Sequence, residues 1–288
     1  FGLISGCALV VDYMLTITVS IAACGEAVFS FLPFSYQPYK LPFACLLILI
    51  LIVINLRGVK ESVITLAPIF LVFIAAHALL LGYGILAHAP QITPVADDIR
   101  AGLSHDLAAI GIIGVLAIFL RAYSLGGGTY TGIEAVANGM QIMREPRVKT
   151  GKRTMLYMAI SLAVLSGGLF ACYLLWNVRP VPGQTLNAVL ANSVFYTWPL
   201  GGLLALVTIF SEAALLCVAA QTGFIDGPRV MANMAIDSWL PRSFALLSER
   251  LTMTNGILLM GGMALFLMLV TRGSVLILIT MYAINVFL

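Results

Sequence analysis

RAYSLGGGTYTGIEAVANG, residues 121–139, is the stretch from which the rest of the chain can be read. Gly126, Gly127 and Gly128 each cost about 1 kcal/mol in a helix interior relative to alanine. Gly132 follows closely, and Ser124, Thr129 and Thr131 add hydroxyls able to bond backbone groups freed by unwinding. Yet the stretch lies inside a long apolar run, 107–143. The pattern predicts a discontinuous membrane helix, its first half ending near Tyr123 with carbonyls free and its second half starting near Thr129 with amides free. Free carbonyls suit a cation and free amides suit an anionic group, and such backbone persists at membrane depth only where protein or a water cavity shields it. Close helix packing of the GxxxG kind is the other reading of the same glycines.

Seven further apolar runs surround this one: 1–32, 41–56, 63–87, 155–178, 198–225, 252–271 and 274–288. Hydrophobic residues make up 61% of the 288 and charged residues only 9%, against roughly 25% charged in a soluble domain. A bilayer accepts that surface and water does not. The runs lack the strict alternation of a β-barrel, so the expectation is an all-α polytopic membrane protein with about eight spans, one of them discontinuous. The last run covers only about 22 Å at helical rise, less than a bilayer core. With Phe1 at the start, it suggests a transporter domain truncated at both ends.

If every run crosses once, ten Lys and Arg fall on one side: Arg57, Lys60, Arg144, Arg147, Lys149, Lys152, Arg153, Arg229, Arg242 and Arg250. Four fall on the other: Lys40, Arg100, Arg179 and Arg272. The positive-inside rule then sends the first run from cytoplasm to exterior. Residues 89–106, with Asp97, Asp98 and Asp106, belong outside. So does 180–196, where Leu186, Val189, Leu190 and Val194 predict a short helix along the outer surface. A second short helix is expected in the long inner loop, around 230–237.

Ionisable side chains inside spans are functional hypotheses by default. In the first run Asp12, Thr16 and Ser20 fall at i, i+4 and i+8, with Tyr13 adjoining. A carboxylate and three hydroxyls on one face suit an alkali cation or a proton relay, and equally a polar packing stripe. Glu134, Glu212 and His77 are candidates for coupling or gating. Arg121 is expected to pair with one of the carboxylates, and Glu26, near the outer end, to reach water. Cys7, Cys24, Cys45, Cys172 and Cys217 are scattered singly, as small packing residues. No other metal site is read from the sequence.

Three stretches carry a family resemblance: DYMLT at 12–16, GGGTYTGIEAVANG with MREPRVKTGKRT at 126–154, and GFIDGPRVMANMAIDSWLPRSF with TNGI at 223–257. They resemble the amino acid, polyamine and organocation permease superfamily, and DYMLT and TGIEAVANG look closest to its branch of KimA-type potassium importers and related amino acid permeases. The resemblance implies a LeuT-like fold in which this chain supplies helices three to ten and the broken helix is the sixth. Residues 1–88 would be a remnant of the first inverted repeat and 107–288 the second. It also matches Asp12, Tyr13, Thr16 and Ser20 to the potassium-site stripe of the branch's third helix. The triple glycine departs from the more polar run found there in the sixth helix.

The implied function is a secondary active transporter working by alternating access, with amino acid and potassium both open as substrate and proton coupling expected for either. The substrate or cation site would comprise Asp12, Tyr13, Thr16, Ser20, Tyr123, Ser124, Gly126, Gly127, Gly128 and Thr129. An ion channel or a non-transporting membrane receptor is the alternative. A channel would call for a re-entrant filter or rings of like residues. An enzyme lacks candidate chemistry, since no HExxH, GxSxG or P-loop occurs. Expected partners are the bilayer and a small solute or ion, with a homodimer left open and no nucleic acid. No cofactor is expected beyond H+ and K+, and the expected location is a bacterial cytoplasmic membrane.

Overall fold

A computed structural model describes residues 2–58, 63–127, 136–137, 140 and 143–286. Among these there are nine α-helices and no strand. They are α1 Gly2–Phe29, α2 Lys40–Leu56, α3 Val63–Ala87, α4 Ile92–Leu125, α5 Arg147–Leu175, α6 Leu186–Phe195, α7 Gly201–Ile236, α8 Thr254–Val270 and α9 Val275–Val286. Six helical stretches are long and apolar enough to cross a membrane: 2–29, 34–56, 66–87, 89–125, 147–175 and 201–236. The helices α8 and α9 are apolar but shorter, at 17 and 12 residues.

The centre of the molecule is the contact between α1 and α7. Side chains from the first part of α1 (Tyr13, Ile17, Ile21) share an apolar cluster with the last part of α7 (Phe224, Met231, Met234). The end of α1 (Cys24, Ala27) shares a second cluster with the start of α7 (Ala205, Ile209, Ala213). The two helices are therefore antiparallel. Their approach depends on Gly223, where an added Cβ would lie 2.6 Å from Ile17 Cγ1 and 2.9 Å from the Tyr13 carbonyl oxygen. The thiols of Cys24 and Cys217 meet across the same seam at 3.3 Å, so two of the singly scattered cysteines are neighbours.

Around this pair, α2, α8 and α9 enclose the first cluster, while α3, α5 and α6 enclose the second. The short α6 is capped by Thr185, whose Oγ1 accepts the Ala188 amide at 3.2 Å. The Thr185 amide in turn donates to Ser30 Oγ at 2.9 Å, tying α6 to the end of α1. The short helix expected within 180–196 exists, but it turns Ala188, Leu190, Ala191, Val194 and Phe195 inward and leaves Leu186 exposed. Packing selects a face rotated from the one apolarity alone suggests.

Three further expectations are corrected. Residues 89–106 are helical, mostly within α4, because Ile92, Ile99, Leu103, Leu107 and Ile110 recur at helical spacing through the acidic stretch. The inner segment 230–237 is not a separate helix: α7 runs unbroken through Pro228 to Ile236. Glu26 does not end in water alone but pairs with Lys40 at 3.2 Å, each side chain about one-third exposed. The predicted break is met in part. The helix α4 ends at Leu125, with a 3-10 turn at Gly126 and Gly127, while Gly128, Thr129, Thr131, Gly132 and Glu134 lie outside the described residues. A second interruption, unforeseen, occurs at Gly111, with φ 69° and ψ 173°.

Candidate functional site

Helix α1 places Asp12, Thr16 and Ser20 on one line about 12 Å long at helical rise. Asp12, Tyr13 and Ser20 are all buried, Tyr13 to within 1% of full enclosure. A buried carboxylate in an apolar bundle costs several kcal/mol unless donors or a cation compensate it. Here α9 supplies donors: Tyr282 O–H donates to Asp12 Oδ2 at 3.1 Å. Asn285 Nδ2 donates to the Ala8 carbonyl at 3.0 Å and to Asp12 Oδ1 at 3.4 Å. One turn along, Thr16 Oγ1 is buried and has no hydrogen-bond partner among the described residues. The Asp12 carboxylate and the uncommitted Thr16 hydroxyl oxygen are hard oxygen atoms of the kind that alkali cations accept, while Tyr282 and Asn285 hold the carboxylate in place as donors.

Elsewhere in the bundle, α2 and α7 exchange a pair of amides. Asn55 Nδ2 donates to Gln221 Oε1 and Gln221 Nε2 to Asn55 Oδ1, both at 2.9 Å, and both residues are buried. Asn55 Nδ2 also donates to the Leu51 carbonyl at 2.8 Å, so the pair is well satisfied.

Sequence reasoning missed Tyr282, Asn285, Asn55 and Gln221. The signal was present for the first two: polar residues three apart in MYAINV, 281–286, share one helix face in an otherwise apolar run. Nothing local marks Asn55 and Gln221 as partners, because they are 166 residues apart.

The residues assigned to the broken helix sit differently. Tyr123 is 54% exposed, Ser124 is half-buried, Gly126 is exposed and Gly127 buried. The helix α4 buries none of its own residues and reaches the bundle through α9 and α5. Because α9 also packs on α1, it is the shared neighbour of the Asp12 stripe and of the α4 segment. Arg121 is exposed and makes no ion pair among the described residues.

Two coupling candidates have defined partners. Asn187 Nδ2, on α6, donates to both Glu212 Oε1 and Oε2 at 2.9 Å, and Tyr173 O–H on α5 donates to Asn187 Oδ1. Glu212 thus joins three helices. His77 is buried within α3, where its Nδ1 meets the Phe73 carbonyl at 3.0 Å and its ring stacks on Phe73 at 4.0 Å. Among the described residues no cluster of His, Cys, Asp or Glu could hold a metal ion.

Comparison with known proteins gives the family. A family model described as "Amino acid permease" matches residues 1–288. The chain is also 32% identical, over 292 aligned residues, to the potassium transporter KimA of Bacillus subtilis (strain 168). That alignment covers 100% of this chain and 46% of KimA, so the chain spans about half the length of this curated relative. With its long apolar helices and its match from end to end, the chain is an integral membrane protein that belongs to the amino acid permease family.

Proposed function

We propose that the chain works as part of a secondary active transporter for potassium ions, with Asp12 and Thr16 of α1 and Tyr282 and Asn285 of α9 forming one wall of the ion site. The observation that carries this reading is the pairing of a buried carboxylate, held by two side chains from a helix some 270 residues away, with a buried hydroxyl oxygen left unpartnered. In the loaded state a cation compensates the carboxylate and takes Thr16 Oγ1 as a ligand. In the empty state a proton on Asp12 does the same work, which makes proton coupling part of the proposal. Tyr13 and Ser20 extend the wall, and the carbonyl end of α4 near Tyr123, Ser124 and Gly126 joins it only through α9, the neighbour that α4 shares with α1. Similarity to a protein named as a potassium transporter supports this choice of substrate.

The description of the family model favours a second reading, in which the same wall binds an amino acid. Uptake by the full-length protein separates the two. In cells lacking other potassium uptake, Asp12→Asn should abolish rubidium entry while the amount of folded protein in the membrane stays unchanged. Thr16→Val should weaken apparent potassium affinity about tenfold, the loss of roughly one oxygen ligand, and leave amino acid uptake untouched. A folded Asp12→Asn protein that transports at the parental rate would sink the site. Uptake of labelled amino acids without potassium uptake would move the proposal to the second reading. Orientation has an independent check: single cysteines at Lys149 and Gln184 should label from opposite sides of the membrane.

A further inference from the structure

The start of α5 carries a feature outside the wall proposed for the ion. A recess of about 510 Å³ is lined, among the described residues, by Pro146, Val148, Lys149, Lys152, Arg153 and Leu156. Lys149, Lys152 and Arg153 are all exposed, and none is ion-paired among the described residues. Nearby, Arg147 is matched by Glu145 at 2.9 Å, so the acidic residue of this segment is already occupied. Three positive charges therefore line one open recess without a counter-charge among the described residues.

Their position along the helix says what kind of counter-charge fits. Lys149, Lys152 and Arg153 lie at i, i+3 and i+4, and the same ridge continues as Leu156, Ile160 and Val164, all exposed. Those apolar side chains belong to a stretch long and apolar enough to span the membrane. The ridge thus passes from apolar to cationic in a single turn, on the side that holds ten of the fourteen flanking Lys and Arg.

We propose that this recess is a binding site for an anionic phospholipid of the inner leaflet. Its phosphate sits among Lys149, Lys152 and Arg153, and an acyl chain lies along Leu156, Ile160 and Val164. The apolar part of the ridge sets this apart from a site for a free phosphate, which would gain nothing from Leu156. A basic side chain at a membrane surface contributes a factor of about five in affinity for anionic lipid. The three together should contribute roughly 100-fold.

The test uses the full-length protein in nanodiscs of phosphatidylcholine doped with phosphatidylglycerol, with bound lipid counted by native mass spectrometry. Lys149→Gln/Lys152→Gln/Arg153→Gln should lose tightly held phosphatidylglycerol, whereas Arg57→Gln/Arg242→Gln/Arg250→Gln, which removes the same charge elsewhere on that side, should keep it. Leu156→Asn should weaken phosphatidylglycerol binding without changing the headgroup preference. Equal loss in both triple variants would reduce the effect to general surface charge and overturn the site. So would displacement of the lipid by millimolar glycerol 3-phosphate, which would mark a site for soluble phosphate. If the triple variant does not fold in phosphatidylcholine, Lys152→Gln alone should read about a fivefold loss, and parental binding there overturns the proposal.

Discussion

Helix α1 buries half of its 28 residues, and α4, at 34 residues, buries none. Both are apolar enough to cross a membrane, so apolarity brings each into the bilayer and says nothing of its company there. The difference lies in the surfaces that meet them. Against α1 stands α7, with Gly223 permitting backbone approach to Tyr13 and Ile17. Facing outward from α4 are Ile112, Ile113, Ile118 and Phe119, side chains that lipid can solvate as well as protein can. Helix association in a membrane gains little from apolarity itself and depends on close packing and hydrogen bonds. A polar stripe and small partners therefore make α1 the centre.

The contrast predicts its own largest effect. Ile17 is fully buried and Ile113 is 81% exposed. Ile17→Ala should cost about 3 kcal/mol through the cavity it leaves, and Ile113→Ala should stay within about 0.5 kcal/mol. Thermal unfolding of the purified full-length protein in detergent measures both. Equal losses would mean that another part of the protein covers α4, and the contrast between the helices would disappear.

A smaller effect concerns how the α1–α7 core is fixed sideways. Gln221→Leu strands the buried Asn55 amide and should cost about 1–3 kcal/mol. Asn55→Leu/Gln221→Leu should recover part of that loss, since neither amide is then left unpaired. Strict additivity in the double-mutant cycle would show that the two amides act independently.

How much of this was legible beforehand follows from the range of each signal. Hydrophobic runs are local, and 1–32, 41–56 and 63–87 foretold α1, α2 and α3 to within a few residues. The stripe of Asp12, Thr16 and Ser20 is also local, and the sequence displays it without its neighbours. Its partners Tyr282 and Asn285 come from the other end of the chain, a distance over which periodicity carries no information. Polar composition misled at 92–106, where Asp97, Asp98 and Asp106 drew attention from an apolar ridge at helical spacing. It misled again at 226–237, where Asp226 and Pro228 resemble a loop start but lie on a helix packed against α1 and α8. The family match restores some long-range information, since it places the whole chain in one permease fold.

The finest test lies within α4 itself, where two glycines have opposite roles. Gly102 is helical, and an added Cβ there would find nothing within 4 Å. Gly102→Ala should therefore gain up to about 1 kcal/mol from helix propensity alone. Gly111 is equally open, but its φ of 69° with ψ of 173° lies where an L side chain is strained. Gly111→Ala should lose about 1–2 kcal/mol or straighten the helix at that point. Space is the same at both sites, so any difference between the two substitutions isolates backbone conformation from packing. Thermal unfolding gives the sign, and distances between spin labels at positions 98 and 118 show whether the bend survives. A stabilised, straightened Gly111→Ala protein would mean that the interruption is not required by the fold. The 92–110 segment would then be a plain extension of the span rather than a separately angled helix.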